Sequence, residues 1–167
     1  MDAVLRWIDE SRARYQTELA DWAKIPAISS DPAHAVDVKK NAEHLAKRLS
    51  SLGAGTVEIW DTPGHPAVFA EWNDAPGKPT LLIYGHHDVQ PVDPVELWET
   101  APFEPLVRAT AYGEELVGRG AIDDKGQVFF HVLGLGAHLA TTGRTSPAVN
   151  LKVVVEVPAR LSDEQRA

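Results

Sequence analysis

The run Thr80-Leu81-Leu82-Ile83-Tyr84, closed by Gly85-His86-His87-Asp88, constrains this chain more than any other stretch. An unbroken apolar run of strand length predicts a β-strand covered on both faces. It then ends abruptly in polar residues. Side chains two apart on extended backbone point the same way, so His86 and Asp88 project to one side where the strand leaves its sheet, and His87 projects to the other. In open α/β sheets that end of a strand is where ligands bind.

Helices and strands alternate around this run. Leu5, Ile8, Tyr15, Leu19 and Trp22 recur at helical spacing and predict one amphipathic helix over residues 2–23, ended by Pro26. Ala42, Leu45, Ala46, Leu49 and Leu52 predict a second helix over 35–52, with Gly53 as its stop. Strands are expected over 56–60, 67–72, 80–84 and 151–155, with turns at Asp61-Thr62-Pro63-Gly64 and Asn73-Asp74-Ala75-Pro76-Gly77. Residues 91–105, with four prolines, read as an ordered loop over the site. Residues 126–139 read as a buried helix with apolar side chains around most of its circumference. This interspersion argues an α/β layered domain.

Composition removes several functions. There is no cysteine, so disulfides, thiolate metal sites and a cysteine nucleophile are excluded, and any metal must be held by His, Asp or Glu. The net charge of -8 argues against a nucleic-acid partner. No apolar run approaches the roughly 18 residues of a membrane span, and Met1-Asp2-Ala3-Val4-Leu5-Arg6-Trp7 lacks the form of a signal peptide, so a cytoplasmic location is expected.

A second polar cluster, Gly118-Arg119-Gly120-Ala121-Ile122-Asp123-Asp124-Lys125-Gly126, precedes the predicted helix at 126. The simple reading of Asp123-Asp124 is a helix N-terminus, where carboxylates cap free amides and meet the positive dipole end. The flanking glycines also fit a backbone on an unusual path near a ligand. A carboxylate in such a turn can bridge two metal ions roughly 3.5–4 Å apart. An imidazole is a good zinc ligand, and a neighbouring carboxylate can hold its other ring nitrogen. His86, Asp88 and Asp123, each at the mouth of an apolar element, together point to a metal site, with Asp88 in the orienting role. His34, His44, His65, His131 and His138 lack partners at ligand spacing, and His131 reads as a core histidine. Ser29-Ser30 has no nucleophile-elbow context. Glu114-Glu115 reads as a solvated turn.

At Tyr84-Gly85-His86-His87-Asp88-Val89-Gln90-Pro91, Trp98-Glu99-Thr100-Ala101-Pro102-Phe103-Glu104-Pro105 and Gly118–Gly126 the sequence resembles the zinc-dependent dipeptidase superfamily that includes carnosinases, acetylornithine deacetylases and carboxypeptidase G. The resemblance covers residues 1–156 and lies nearest the carnosinase-like branch. It implies the N-terminal part of a catalytic domain, with a mixed, mostly parallel sheet flanked by helices. It implies that His86 binds one metal, that Asp88 orients it, that Asp123 bridges two zinc ions, and that the Asp123–Asp124 peptide is cis. Manganese or cobalt could replace zinc. The expected substrates are dipeptides or N-acyl amino acids, cleaved at an amide bond next to a free carboxylate by metal-activated water, with a glutamate taking the proton.

The chain departs from the family after Glu156. Where the family pattern places two adjacent glutamates, a general base and a metal ligand, this sequence has Ala159 and Arg160, and Val157-Pro158 replaces the usual glycine and its successor. Asp163-Glu164 lies too far along to substitute. Residues 157–167 read as an unrelated or frameshifted tail, with the later strands, the lid domain and a late histidine ligand absent. The isolated chain is expected to be inactive. The alternatives are a non-catalytic metal-binding module, a self-associating module, or one part of a site completed by another chain.

Overall fold

The computed structural model describes residues 2–158. Four helices, α1 (Asp2–Glu10), α2 (Arg12–Ala23), α3 (Ala35–Ser51) and α4 (Lys125–Thr142), accompany six strands, β1 (Thr56–Trp60), β2 (Ala67–Trp72), β3 (Thr80–His86), β4 (Leu106–Thr110), β5 (Gly113–Val117) and β6 (Asn150–Glu156). Four strands form one sheet in the order β1-β2-β6-β3, and β4 and β5 form a separate hairpin. β1 with β2 and β2 with β6 are antiparallel, while β3 with β6 is parallel. The architecture is mixed α/β with a mixed sheet flanked by helices, as expected, but its parallel share is one pairing of three.

Helix α3 forms where its apolar stripe allows it. Val38, Ala42, Leu45 and Leu49 are buried at i, i+4, i+7 and i+11, one face of a 3.6-residue period. The stripe packs on β1 and β2. Alternate residues of β2 (Val68, Ala70, Trp72) and of β6 (Leu151, Val153, Val155) face the helices and meet Tyr15 and Trp22 of α2 and Val128, Phe129 and Val132 of α4 in one core. Trp22 and Trp72, both close to fully buried, are its largest members. An aromatic side chain brings about 150–250 Å² into such a core, so these two anchor the helix layer to the sheet.

Four expectations need correction. The first helix is two: the chain bends at Ser11, whose amide still donates to the carbonyls of Trp7 (3.1 Å) and Ile8 (3.2 Å). The bend lets Trp7 lie against Tyr15, with ring centroids 5.5 Å apart. β3 is not covered on both faces. It is the edge strand of the described sheet, and Leu81, Leu82 and Tyr84 are 55, 59 and 61% exposed. Glu114-Glu115 belongs to strand β5 rather than to a turn; the turn of that hairpin is at residues 111–112, before Gly113 with φ +115°. The helix at 126 is present, but it presents one open side, where Phe130 is 72% exposed and His131 is exposed rather than in the core. Residues 91–105 contain one short 3₁₀ turn (Val95–Leu97). They are fastened to the segment before Asp123: Arg119 donates from its amide to the Pro102 carbonyl (2.8 Å) and from Nη2 to the Pro91 carbonyl (2.9 Å), and its guanidinium lies over Trp98.

Candidate metal centre

β3 delivers His86 at its last position, in parallel register with Glu156 of β6. The chain beyond is fixed at once. The His87 amide donates to the Glu156 carbonyl (3.0 Å), and the Val89 amide donates to the Ala27 carbonyl (2.9 Å). Gly85 precedes the histidine because α4 crosses there. A Cβ on Gly85 would lie 2.7 Å from Cγ2 of Val128 and 2.8 Å from Oδ2 of Asp124. Oδ2 of Asp124 instead accepts the His86 amide proton at 3.0 Å. The strand end and the helix start are thus joined through one carboxylate.

The imidazole of His86 is held from both sides. Nδ1 lies 3.0 Å from Oδ1 of Asp88, and Nε2 lies 3.1 Å from Oδ1 of Asp123. Asp88 has 7% of its side chain exposed, His86 30% and Asp123 66%, so the ring bridges a buried carboxylate and an open one. The hydrogen bond that His86 donates to Asp88 pushes the His86 pKa up to about 9, opposed by burial and helped by the charges of Asp88, Asp124 and Asp123. Burial works against a charge on Asp88, yet hydrogen bonds from His86 and Ser29 outweigh it and hold its carboxyl below the usual range.

His87 faces away from this centre, as the strand alternation requires, and is fully buried. Its Nε2–H donates to the Pro66 carbonyl (2.9 Å), which leaves Nδ1 to accept from Nδ2 of Asn41 (3.0 Å). The same amide nitrogen bonds the His87 carbonyl, and Oδ1 of Asn41 accepts from Nε1 of Trp22 (2.7 Å). Burial lowers the His87 pKa and keeps the ring neutral. Lys125, also fully buried, donates from Nζ to the carbonyls of Trp22 (3.0 Å) and Ile25 (2.7 Å); burial lowers its pKa to about 7.

Asp123 and Asp124 are joined by a cis peptide bond, as the family resemblance implies. The capping reading of the pair does not hold. Asp124 stands at the N-cap position of α4, but its side chain makes no capping bond there and reaches His86 instead. The glycines around it answer to protein atoms. Gly120 has φ +78° and packs where a Cβ would meet Val89 at 2.8 Å. A Cβ on Gly126 would lie 2.0 Å from the Ala121 carbonyl oxygen, so only glycine closes this turn.

The structure brings His86, Asp88 and Asp123 around one ring. Among the described residues, no group of three or more His, Cys, Asp or Glu side chains forms a metal-ligand cluster. Asp88 engages the far ring nitrogen, which leaves the Nε2 of His86 and the Asp123 carboxylate as the converging pair. That pair fits a divalent cation: one imidazole nitrogen whose tautomer is fixed by Asp88, and one open carboxylate aimed at it. Ala159, Arg160, Asp163 and Glu164 lie outside the described residues. Sequence reasoning passed over Asn41, Ser29 and Asp124 in their present roles. Asn41 carried a signal, since a polar residue sits between Val38 and Ala42 on the buried stripe of α3.

Residues 82–157 match the model of Peptidase family M20/M25/M40. The chain is 31% identical to a Cys-Gly metallodipeptidase of Saccharomyces cerevisiae, over 93% of this chain and 34% of that protein. It is 29% identical to the human Beta-Ala-His dipeptidase, over 93% of this chain and 32% of that protein. The crystal structure of human carnosine dipeptidase 1 superposes with a TM-score of 0.80 at 28% identity, over 93% of this chain and 34% of the other. The chain spans about a third of the length of the curated relatives it matches. With the His86–Asp88 strand end and the Asp123–Asp124 turn arranged as the resemblance implies, the chain belongs to the M20-type metallodipeptidase superfamily and carries part of its catalytic domain.

Proposed function

We propose that this chain supplies the first ligands of a divalent-metal hydrolase that cleaves dipeptides or N-acyl amino acids at an amide bond next to a free carboxylate. The observation that carries the reading is the two-sided hold on His86. Asp88 fixes the proton on Nδ1, which turns Nε2 toward Asp123. His86 would hold one metal ion, and Asp123, with two carboxylate oxygens in the open, would hold that ion and a second. Zinc suits one imidazole with carboxylates, and manganese or cobalt can take the same donors. When bound, the metal supplies activation of water for attack on the amide carbonyl. Asp88 keeps the ligand nitrogen correctly protonated, and Asp124 anchors the backbone of His86. The Cys-Gly and Beta-Ala-His specificities named for the relatives set the dipeptide class as the first to test.

The 167-residue chain is proposed to be inactive by itself. Ala159 and Arg160 stand where the resemblance places a general base and a ligand, and neither carries a carboxylate. Loss of a general base alone costs about 10²–10⁴-fold. The test is turnover of Cys-Gly and β-Ala-His with added zinc, manganese or cobalt, beside cobalt binding by wild type and His86→Ala. Binding that depends on His86 without turnover is the expected result. Robust turnover overturns the inactivity, and binding indifferent to His86 overturns the site.

A second reading has its own support. Leu81 on one face of the edge strand and Leu82 and Tyr84 on the other are exposed beside backbone that is unpaired among the described residues, which suits self-association or pairing with a complementing chain. Sedimentation of the pure chain tests it, and a strict monomer that gains no activity on mixing with a chain carrying the remaining ligands counts against it.

A further inference from the structure

We propose that Ser29, backed by His65, is a positioning residue of the metal centre: its hydroxyl holds the Asp88 oxygen that His86 leaves free and so fixes the direction in which His86 presents Nε2. The inference rests on the reading of His86 and Asp123 as a metal-binding pair and extends it to residues with no ligand role.

Asp88 is a buried carboxylate with two oxygens. Oδ1 takes Nδ1–H of His86, and Oδ2 takes the hydroxyl of Ser29. A carboxylate gripped at one oxygen can still swing about its terminal torsion, which is broad and weakly restrained. Donors on opposite oxygens, from two distant segments, fix its plane and therefore the plane of the imidazole bonded to it. An orienting carboxylate is itself expected to be hydrogen-bonded in this way.

Ser29 is in turn held firmly. Its carbonyl accepts Nε2–H of His65 at 2.9 Å. Its neighbour Ile28 forms a parallel bridge with Val89, one residue past Asp88. The turn that carries His65 is closed by the Thr62 hydroxyl, which donates to the His65 carbonyl at 2.6 Å and accepts from the Gly64 amide at 3.2 Å. The next residue, Pro66, accepts the ring proton of His87. One turn between β1 and β2 therefore steadies the strand end twice, through Ser29 to Asp88 and His86, and through Pro66 to His87. Ser30, adjacent and exposed, makes a natural control.

The test is ¹⁵N NMR of the His86 ring in the 167-residue chain, with cobalt(II) titration, for wild type, Ser29→Thr, Ser29→Val, Ser30→Ala and His86→Ala. Thr and Val have one shape and differ by the hydroxyl, so their comparison survives any packing change shared by both. Loss of a direct partner of a ligand weakens metal affinity about 10–100-fold; one bond further out, roughly threefold to tenfold is expected for Ser29→Val. The ring nitrogen signals should shift in Ser29→Val and return toward wild type in Ser29→Thr, with Ser30→Ala unchanged. A general loss of structure would move the amide spectrum as a whole, whereas a positioning role moves the His86 ring signals. If Ser29→Thr and Ser29→Val give the same ring signals and the same cobalt affinity, while His86→Ala loses binding, the role of Ser29 is refuted and the metal pair stands. If His86→Ala binds cobalt as wild type does, the metal pair itself is refuted.

Discussion

The two sides of the His86 ring are built differently. On the Nδ1 side, Asp88 is almost fully covered and is tied to Ser29, and the segment behind it runs through His87 and Asn41 to Trp22 in the core. On the Nε2 side, Asp123 is two-thirds exposed and touches His86 from a turn shaped by glycines. The contrast separates orientation from ligation. The side proposed to orient the ring is packed like a core, and the side proposed to meet a cation is left open. A packed support beneath a solvated carboxylate suits a preorganised site.

Substitutions can break this contrast, beginning with the buried support. Asn41→Leu removes the partner of Trp22 Nε1, of His87 Nδ1 and of the His87 carbonyl, while the His87 ring keeps its bond to the Pro66 carbonyl. At roughly 1–3 kcal/mol for each buried group left unsatisfied, a loss of about 3 kcal/mol or more is expected. Urea denaturation measures it, and a loss under about 1 kcal/mol would show that this network carries little. Asp88→Ala should come next, with about 2 kcal/mol of stability and about 10–100-fold of cobalt affinity lost together, because it strips both His86 and Ser29. Asp123→Ala sharpens the comparison by doing the reverse. Its stability should stay within about 0.5 kcal/mol of wild type, as for an exposed surface residue, while cobalt affinity falls as far as in Asp88→Ala. Equal stability losses in the two Asp variants would erase the distinction between the sides.

The smallest effect concerns pH at the edge of the support. His44 stacks on Trp22 with ring centroids 5.9 Å apart, and burial lowers its pKa, with Lys125, Lys47 and Arg48 adding to the effect and Asp21 opposing it. A folded-state pKa below the ordinary value of about 6.5 means that the unfolded chain binds this proton first as pH falls. Stability from the neutral ring is therefore complete above about pH 7 and is lost below about 6.5. His44→Gln should flatten the stability profile over that acid limb and leave it unchanged above pH 7, measured by urea midpoints from pH 5 to 8. An unchanged acid limb would remove His44 from the account.

Much of the fold was legible because periodicity and burial agree in it. The stripe of α3, the alternation of β2 and the apolar run of β6 each match the face that is buried. Legibility failed where a local pattern met a tertiary circumstance. The run 81–84 reads as doubly covered, yet within the described sheet it lies at the edge. The hairpin of β4 and β5 buries little, so it left no alternation to find. His131 stands in an apolar helix on the side that faces outward. At the site, His86, Asp88 and Asp123 could be picked out by residue type and position. Ser29 was passed over because it was judged as a nucleophile, and a hydroxyl that supports a carboxylate has no pattern of its own. The glycines announced an unusual backbone, but at Gly85 and Gly126 the neighbour that forbids a side chain is the protein itself.

Strand order also sets the earliest moment at which this centre can exist. β2 and β3 are neighbours in sequence but are separated in the sheet by β6, the last element described, and His86 sits opposite Glu156. During synthesis the strand that carries His86 has no described sheet partner until residues 150–156 have left the ribosome. The imidazole, the carboxylate behind it and the loop of Ser29 are all made more than sixty residues earlier, yet they must wait for that strand to be set in place together.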